Sequence, residues 1–89
     1  MREYSVSEEL KAKLKKLLAK DPESYSAVSA KMREIIAFSN VEHYKNLRAP
    51  YNQFKRVHVM KSFVLIFSYD KARDAVLFHR LDHHDDVYR

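Results

Sequence analysis

Ser62-Phe63-Val64-Leu65-Ile66-Phe67-Ser68-Tyr69 carries the longest unbroken apolar run of the chain, Phe63 to Phe67. A strand with one wet face alternates apolar and polar residues, whereas a strand covered on both faces is apolar at every position. This stretch therefore reads as an interior strand. On either side of it lie Phe54 to Val59 and Asp74 to Leu81, also rich in Val, Leu and Phe and set off by short polar breaks. Three such runs in succession predict an antiparallel meander with Ser62–Tyr69 in the middle.

Upstream the period changes from two to 3.6. Leu10, Leu14, Leu17 and Leu18 recur on one helical face, with Lys11, Lys13, Lys15, Lys16 and Lys20 around it. Ser5 or Ser7 is placed to cap this helix, and Glu8 and Glu9 fall in its first turn, where the helix dipole favours negative charge. Asp21-Pro22 closes the helix and opens a second one, with Asp as N-cap and Pro at the first helical position. Its apolar stripe is Tyr25, Val28, Met32, Ile35 and Ile36. Helices joined by so short a turn pack antiparallel. Glu3 to Val6 reads as an edge strand. The expected fold is α+β: an N-terminal αα-hairpin packed on a small antiparallel β-sheet, in one domain covering residues 1–89.

Composition narrows the chemistry. The 89 residues are too few for a second core. There is no cysteine, which removes disulfides, thiolate metal sites and a cysteine nucleophile, and fits a cytoplasmic protein. There is no glycine, so glycine-rich phosphate loops are excluded, and no nucleotide cofactor of that kind is expected. No apolar run approaches the ~18 residues of a membrane span, and no secretory h-region is seen, so no membrane association is expected. Seventeen Lys and Arg against 12 Asp and Glu give a net charge of +5, which favours an anionic partner, nucleic acid first.

The histidines are unevenly placed. His58 lies in the first strand of the meander; His79, His83 and His84 lie in or just after the last, within Asp82-His83-His84-Asp85-Asp86-Val87-Tyr88. The first and third strands of a meander flank the second, so both groups can meet on one sheet face. Arg56 and His58 share a face by strand parity, with Val57 and Val59 on the other. RNA cleavage needs a base for the 2′-hydroxyl, an acid for the departing 5′-oxygen and cations for the phosphate. Histidine suits both proton transfers, and Arg56, Lys55 and Lys45 suit the phosphate. Phe63 or Tyr88 can stack on an unpaired base. Other readings stand beside these: a strand histidine is more often a surface or hydrogen-bonded residue, Phe63 fits a core equally well, and the lysine-rich helix is by default a solvated face. A metal site is not expected, because adjacent histidines in an extended segment point to opposite faces.

Arg56 to Phe67, followed by Phe78 to Tyr88, resembles the RelE/ParE toxin superfamily, nearest its YafQ-like branch and archaeal RelE-type proteins. Leu47-Arg48-Ala49-Pro50 matches the loop before the sheet in that family. The resemblance implies a type II toxin that cleaves mRNA, typically on the ribosome, without a cofactor, and that is silenced by a cognate antitoxin protein. It assigns catalysis to His58 and His84 and aromatic positions to Phe63 and Tyr88; Tyr88 and, from its own place on the strand, Arg56 complete the expected catalytic group. The expected RNA contacts are Lys45, Lys55, Lys61, Phe63, Arg80 and Asp82. Lys45 stands where the YafQ-like branch has another histidine, and Ser62 where it has an aspartate, a role that then passes to Asp82 or Asp85. Val64 stands where the RelE branch has its strand arginine, so histidine chemistry is the better fit. The alternatives are a ParE-like DNA gyrase inhibitor and a degenerate toxin kept as a binding module.

Overall fold

Ser7 sets the frame of the molecule, as seen in a computed structural model that describes residues 1–38 and 40–83. It ends strand β1 (Glu3–Val6) and caps helix α1 (Glu8–Lys20), its hydroxyl accepting from the Leu10 N–H at 3.1 Å. Asp21 then caps helix α2 (Pro22–Ala37), accepting from the Ser24 N–H at 3.2 Å, with Pro22 in the first turn. A 3-10 turn at Val41–His43 leads to strands β2 (Lys55–Val59), β3 (Phe63–Asp70) and β4 (Ala75–His83).

The sheet order is β1-β4-β3-β2, with β2–β3 and β3–β4 antiparallel as the meander predicts. The sheet as a whole is mixed, not antiparallel. β1 pairs parallel with β4, Glu3 opposite Ala75 and Val6 opposite Phe78. The physical reason is the connection: both helices and two strands intervene, and a long crossover, unlike a hairpin, brings strands together in the same direction.

One face of the sheet carries the helices. Leu10, Val28, Ile35, Val59, Leu65, Phe67, Val76, Phe78 and Leu81 close on one another there. Leu18 drops out of the expected stripe and is 50% exposed, because it lies about 80° round the helix from Leu10. The opposite face has a smaller apolar patch of Leu47, Val64 and Ile66, with Phe54 packed against it. That patch explains why Phe63–Phe67 is apolar throughout: alternate residues serve two clusters. With no glycine available, the two hairpin turns place Met60 (φ 56°) and Asp74 (φ 52°) in the left-handed region. For the unbranched Met60 this costs roughly 1–2 kcal/mol.

Candidate functional site

On the face away from the helices the strand register builds two cross-strand rows. His58, Val64 and Asp82 are consecutive partners in one; Arg56, Ile66 and Arg80 are partners in the other. The second row extends one place further. Asn46 bridges to Lys55, the Arg56 N–H donates to the Lys45 carbonyl at 2.9 Å, and the Leu47 N–H to the Phe54 carbonyl at 2.9 Å. Lys45 therefore opposes Arg56, and by strand parity shares the face of buried Leu47. Lys45, Arg56 and Arg80 thus line up across Ile66, on a floor made of Val64 and Ile66.

The last strand reaches this arrangement through a bulge. Ile66 pairs with Arg80 but Phe67 with Phe78, so His79 is an extra residue. Without it, strict alternation would put Arg80 and Asp82 on the same side as Val76 and Phe78, inside the core. The bulge re-aims them outward, a use of bulges common beside functional sites. The odd spacing Val76, Phe78, Leu81 in the sequence is its signature.

The groups on this face are held. Arg80 Nε donates to Asp82 Oδ2 at 2.7 Å, and a second guanidinium nitrogen reaches the same oxygen. Arg56 Nε is buried and has no acceptor among the described residues. His79 lies with its Nε2 2.9 Å from the Ser68 hydroxyl and its ring edge-on to Phe54, centroids 4.8 Å apart. Burial pushes its pKa below the usual histidine value, favouring the uncharged ring. β2 and β4 are two strand spacings apart, about 10 Å, wide enough for a phosphodiester to lie between His58 and Asp82.

Beside Arg80 the face opens into a cavity of about 330 Å³ between β4, the first turn of α1 and the loop before β2, lined by Glu9, Tyr51, Phe54, Ile66 and His79. Sequence reasoning missed this cavity, because its residues are far apart in the chain and only the bulge and the loop bring them together.

Of the residues expected from sequence, Arg56, His58, Lys45, Arg80 and Asp82 share this face. Lys55 does not: its ammonium donates to the Tyr44 carbonyl (3.1 Å) and to Asn46 Oδ1 (3.0 Å), tying down the loop. Phe63 packs towards the helix-side core instead. With Lys61, Met60 and His83 it borders a shallow groove at the start of α2, its ring 6.3 Å from His83. Strand parity separates Phe63 from Val64 and so from His58. His84 and Tyr88 lie outside the described residues. Among the described residues no three His, Cys, Asp or Glu side chains are grouped as a metal site would need, and no helix is long and apolar enough to cross a membrane.

A helix hairpin packed on a four-stranded mixed sheet is a fold this chain shares with solved toxins. The fold matches YafQ from E. coli strain BL21(DE3), with a TM-score of 0.72 at 17% identity over 100% of both chains. It also matches a chain of the toxin-antitoxin complex RelBE2 from Mycobacterium tuberculosis, with a TM-score of 0.74 at 19% identity over 96% of this chain and 93% of that one. No protein-family model matches the sequence. A protein of Methanocaldococcus jannaschii named "Putative toxin RelE4" is 45% identical over 89 residues, spanning 100% of this chain and 93% of that one. An uncharacterized protein of Methanosarcina mazei is 42% identical over 83 residues, 93% of this chain and 94% of its own. The chain belongs to the RelE toxin family.

Proposed function

We propose that this toxin is an endoribonuclease that cuts mRNA on the ribosome by attack of a 2′-hydroxyl on the adjacent phosphate. The observation that carries the reading is the alignment of Lys45, Arg56 and Arg80 one row away from His58 on an otherwise apolar floor. A buried donor without an acceptor costs about 1–3 kcal/mol, and Arg56 Nε is such a donor among the described residues. A phosphate oxygen that displaces the side chains covering it would supply its acceptor. Arg56 then holds the scissile phosphate, with Lys45 and Arg80 on the neighbouring phosphates.

In the reaction the 2′-oxygen bonds to phosphorus, the bond from phosphorus to the 5′-oxygen breaks, and a 2′,3′-cyclic phosphate and a 5′-hydroxyl result. One histidine takes the 2′-hydroxyl proton and another gives a proton to the leaving oxygen. His58 and His84 share these roles, and Tyr88 positions the nucleotide. Asp82, already bound to Arg80, acts by fixing the guanidinium rather than as a base. Phe63, Lys61 and Lys55 are left out of the reacting group because of where they lie. A cognate antitoxin restrains the protein: so small a domain buries only about 60–65% of its surface alone, and the similar RelBE2 structure is a toxin-antitoxin complex. The cytoplasm, where mRNA is translated, is the expected compartment.

Primer extension on a translated mRNA after expression of the wild type, His58→Ala and His84→Ala tests the reading. Codon-spaced cuts made by the wild type should be lost in both variants, each falling by about 10²–10⁴-fold. Undiminished cutting by His58→Ala would remove His58 from the chemistry.

A further inference from the structure

The cavity beside Arg80 is not needed to break a phosphodiester, yet it opens directly off the row that would hold one. Its walls are chemically uneven. Phe54 and His79 stand almost perpendicular, 83° between ring planes, forming an aromatic corner. Tyr51 adds a third ring and is 47% exposed. A flat group stacked on one of the corner rings is met edge-on by the other, both favourable arrangements for π systems. Glu9, on the first turn of α1, also lines the cavity. Its carboxylate repels a phosphate and accepts hydrogen bonds from amino groups. The phosphate therefore stays outside, at Arg80, and a neutral planar group with an N–H edge suits the interior. A volume of about 330 Å³ is at the lower end for small-molecule sites and suits one base rather than a helix or strand of a protein.

We propose that this cavity is a subsite for one unpaired nucleobase bearing an exocyclic amino group, stacked in the Tyr51–Phe54–His79 corner and read by Glu9. The subsite deepens the ribonuclease reading, on which it rests for the RNA. It would give the toxin a preference for adenine, cytosine or guanine over uracil one nucleotide from the phosphate on Arg80. Ser7 supports the subsite from behind. Its hydroxyl donates to the His79 carbonyl at 2.6 Å, and its N–H to the Phe78 carbonyl at 2.9 Å, locking the bulge to the start of α1.

The test is titration of the full-length protein with AMP, CMP, GMP, UMP and ribose 5-phosphate, followed by amide and ring NMR signals. Three of the nucleotides should shift Ser7, Tyr51, Phe54, His79 and Arg80 more strongly than UMP does, and ribose 5-phosphate should shift Arg80 alone. Tyr51→Ala, at an exposed position, should weaken binding of all four by at least about five-fold, the lower end of what stacking contributes. Glu9→Gln should erase the difference between CMP and UMP. Equal shifts from ribose 5-phosphate, no shifts in the cavity, or wild-type binding by both variants would overturn the proposal. His58 does not line the cavity, so His58→Ala should keep nucleotide binding while losing RNA cutting. Nucleotide binding without RNA cutting by the wild type defeats the ribonuclease and not the subsite, and cutting without binding does the reverse.

Discussion

At the scale of single residues, the open sheet face distinguishes groups that sequence alone had to treat alike. Lys45, Lys55, Arg56, Lys61 and Arg80 are all cations near the meander, but Lys55 spends its ammonium on the Tyr44 carbonyl and Asn46, and Lys61 sits at the β2–β3 turn beside Phe63. Parity told Arg56 and His58 apart from their neighbours because it needs only the strand's start. It could not tell that Lys55 would be consumed by a loop nine to eleven residues upstream, since that contact depends on how residues 44–46 fold back. Arg56 is the residue on which fork geometry should matter most. Arg56→Lys keeps the charge but loses the planar pair of donors; losing one hydrogen bond to a charged group should lower mRNA cleavage by roughly ten- to a hundred-fold, while the thermal midpoint stays within a few degrees. Full activity in Arg56→Lys, measured by the same primer extension, would reduce this residue to a simple point charge.

At the scale of elements, the two helices and the three-strand meander were legible because their periods differ and their ends carry plain signals: Ser7, Asp21-Pro22 and the polar breaks. The parallel pairing of β1 was not legible, since a four-residue strand has no pattern that fixes direction. The bulge at His79 left only the spacing of Val76, Phe78 and Leu81, which is easily read as an ordinary irregularity. It is nonetheless what turns Arg80 and Asp82 outward. Ser7 joins this bulge to α1 through three hydrogen bonds, to Leu10, Phe78 and His79. Ser7→Ala removes the helix cap and the bond to the His79 carbonyl. It should cost about 1–2 kcal/mol, lowering the melting temperature by roughly 4–16 °C for a domain of this size; an unchanged melting curve would show that the hydroxyl bonds contribute nothing net.

His79 also gives the bulge a pH signature. Burial lowers its folded-state pKa below the unfolded value of 6.5, so the unfolded chain binds the proton more tightly. Stability is then fully present above about pH 6.5 and falls as pH drops through the folded-state pKa. Melting temperatures measured from pH 8 to 5 should decline below 6.5 in the wild type and stay flatter in His79→Gln. Asp21, Glu34 and Asp74 are shifted downward as well, but by a different cause, their carboxylates held below the usual range chiefly by hydrogen bonds from Ser24, Tyr44 and Tyr69. Their contribution is lost only at lower pH, as each falls through its own depressed pKa, so the two effects separate along the titration.

At the scale of the whole molecule, the helices take one face of the sheet and leave the other open, and the candidate site lies there. Three of the chain's 17 Lys and Arg residues, Lys45, Arg56 and Arg80, form an ordered row there. Family membership accounts for the toxin fold; the row of Lys45, Arg56 and Arg80 and the histidine one row away are what favour RNA cleavage as the proposed activity. The most direct test is the chemistry of the ends. Purified toxin incubated with ribosomes translating a defined mRNA should leave a 5′-hydroxyl on one fragment and a 2′,3′-cyclic or 3′-phosphate on the other, and His58→Ala should reduce both by about 10²–10⁴-fold. Intact mRNA under those conditions, together with trapped gyrase–DNA cleavage complexes, would contradict the account and give the protein a ParE-like action instead.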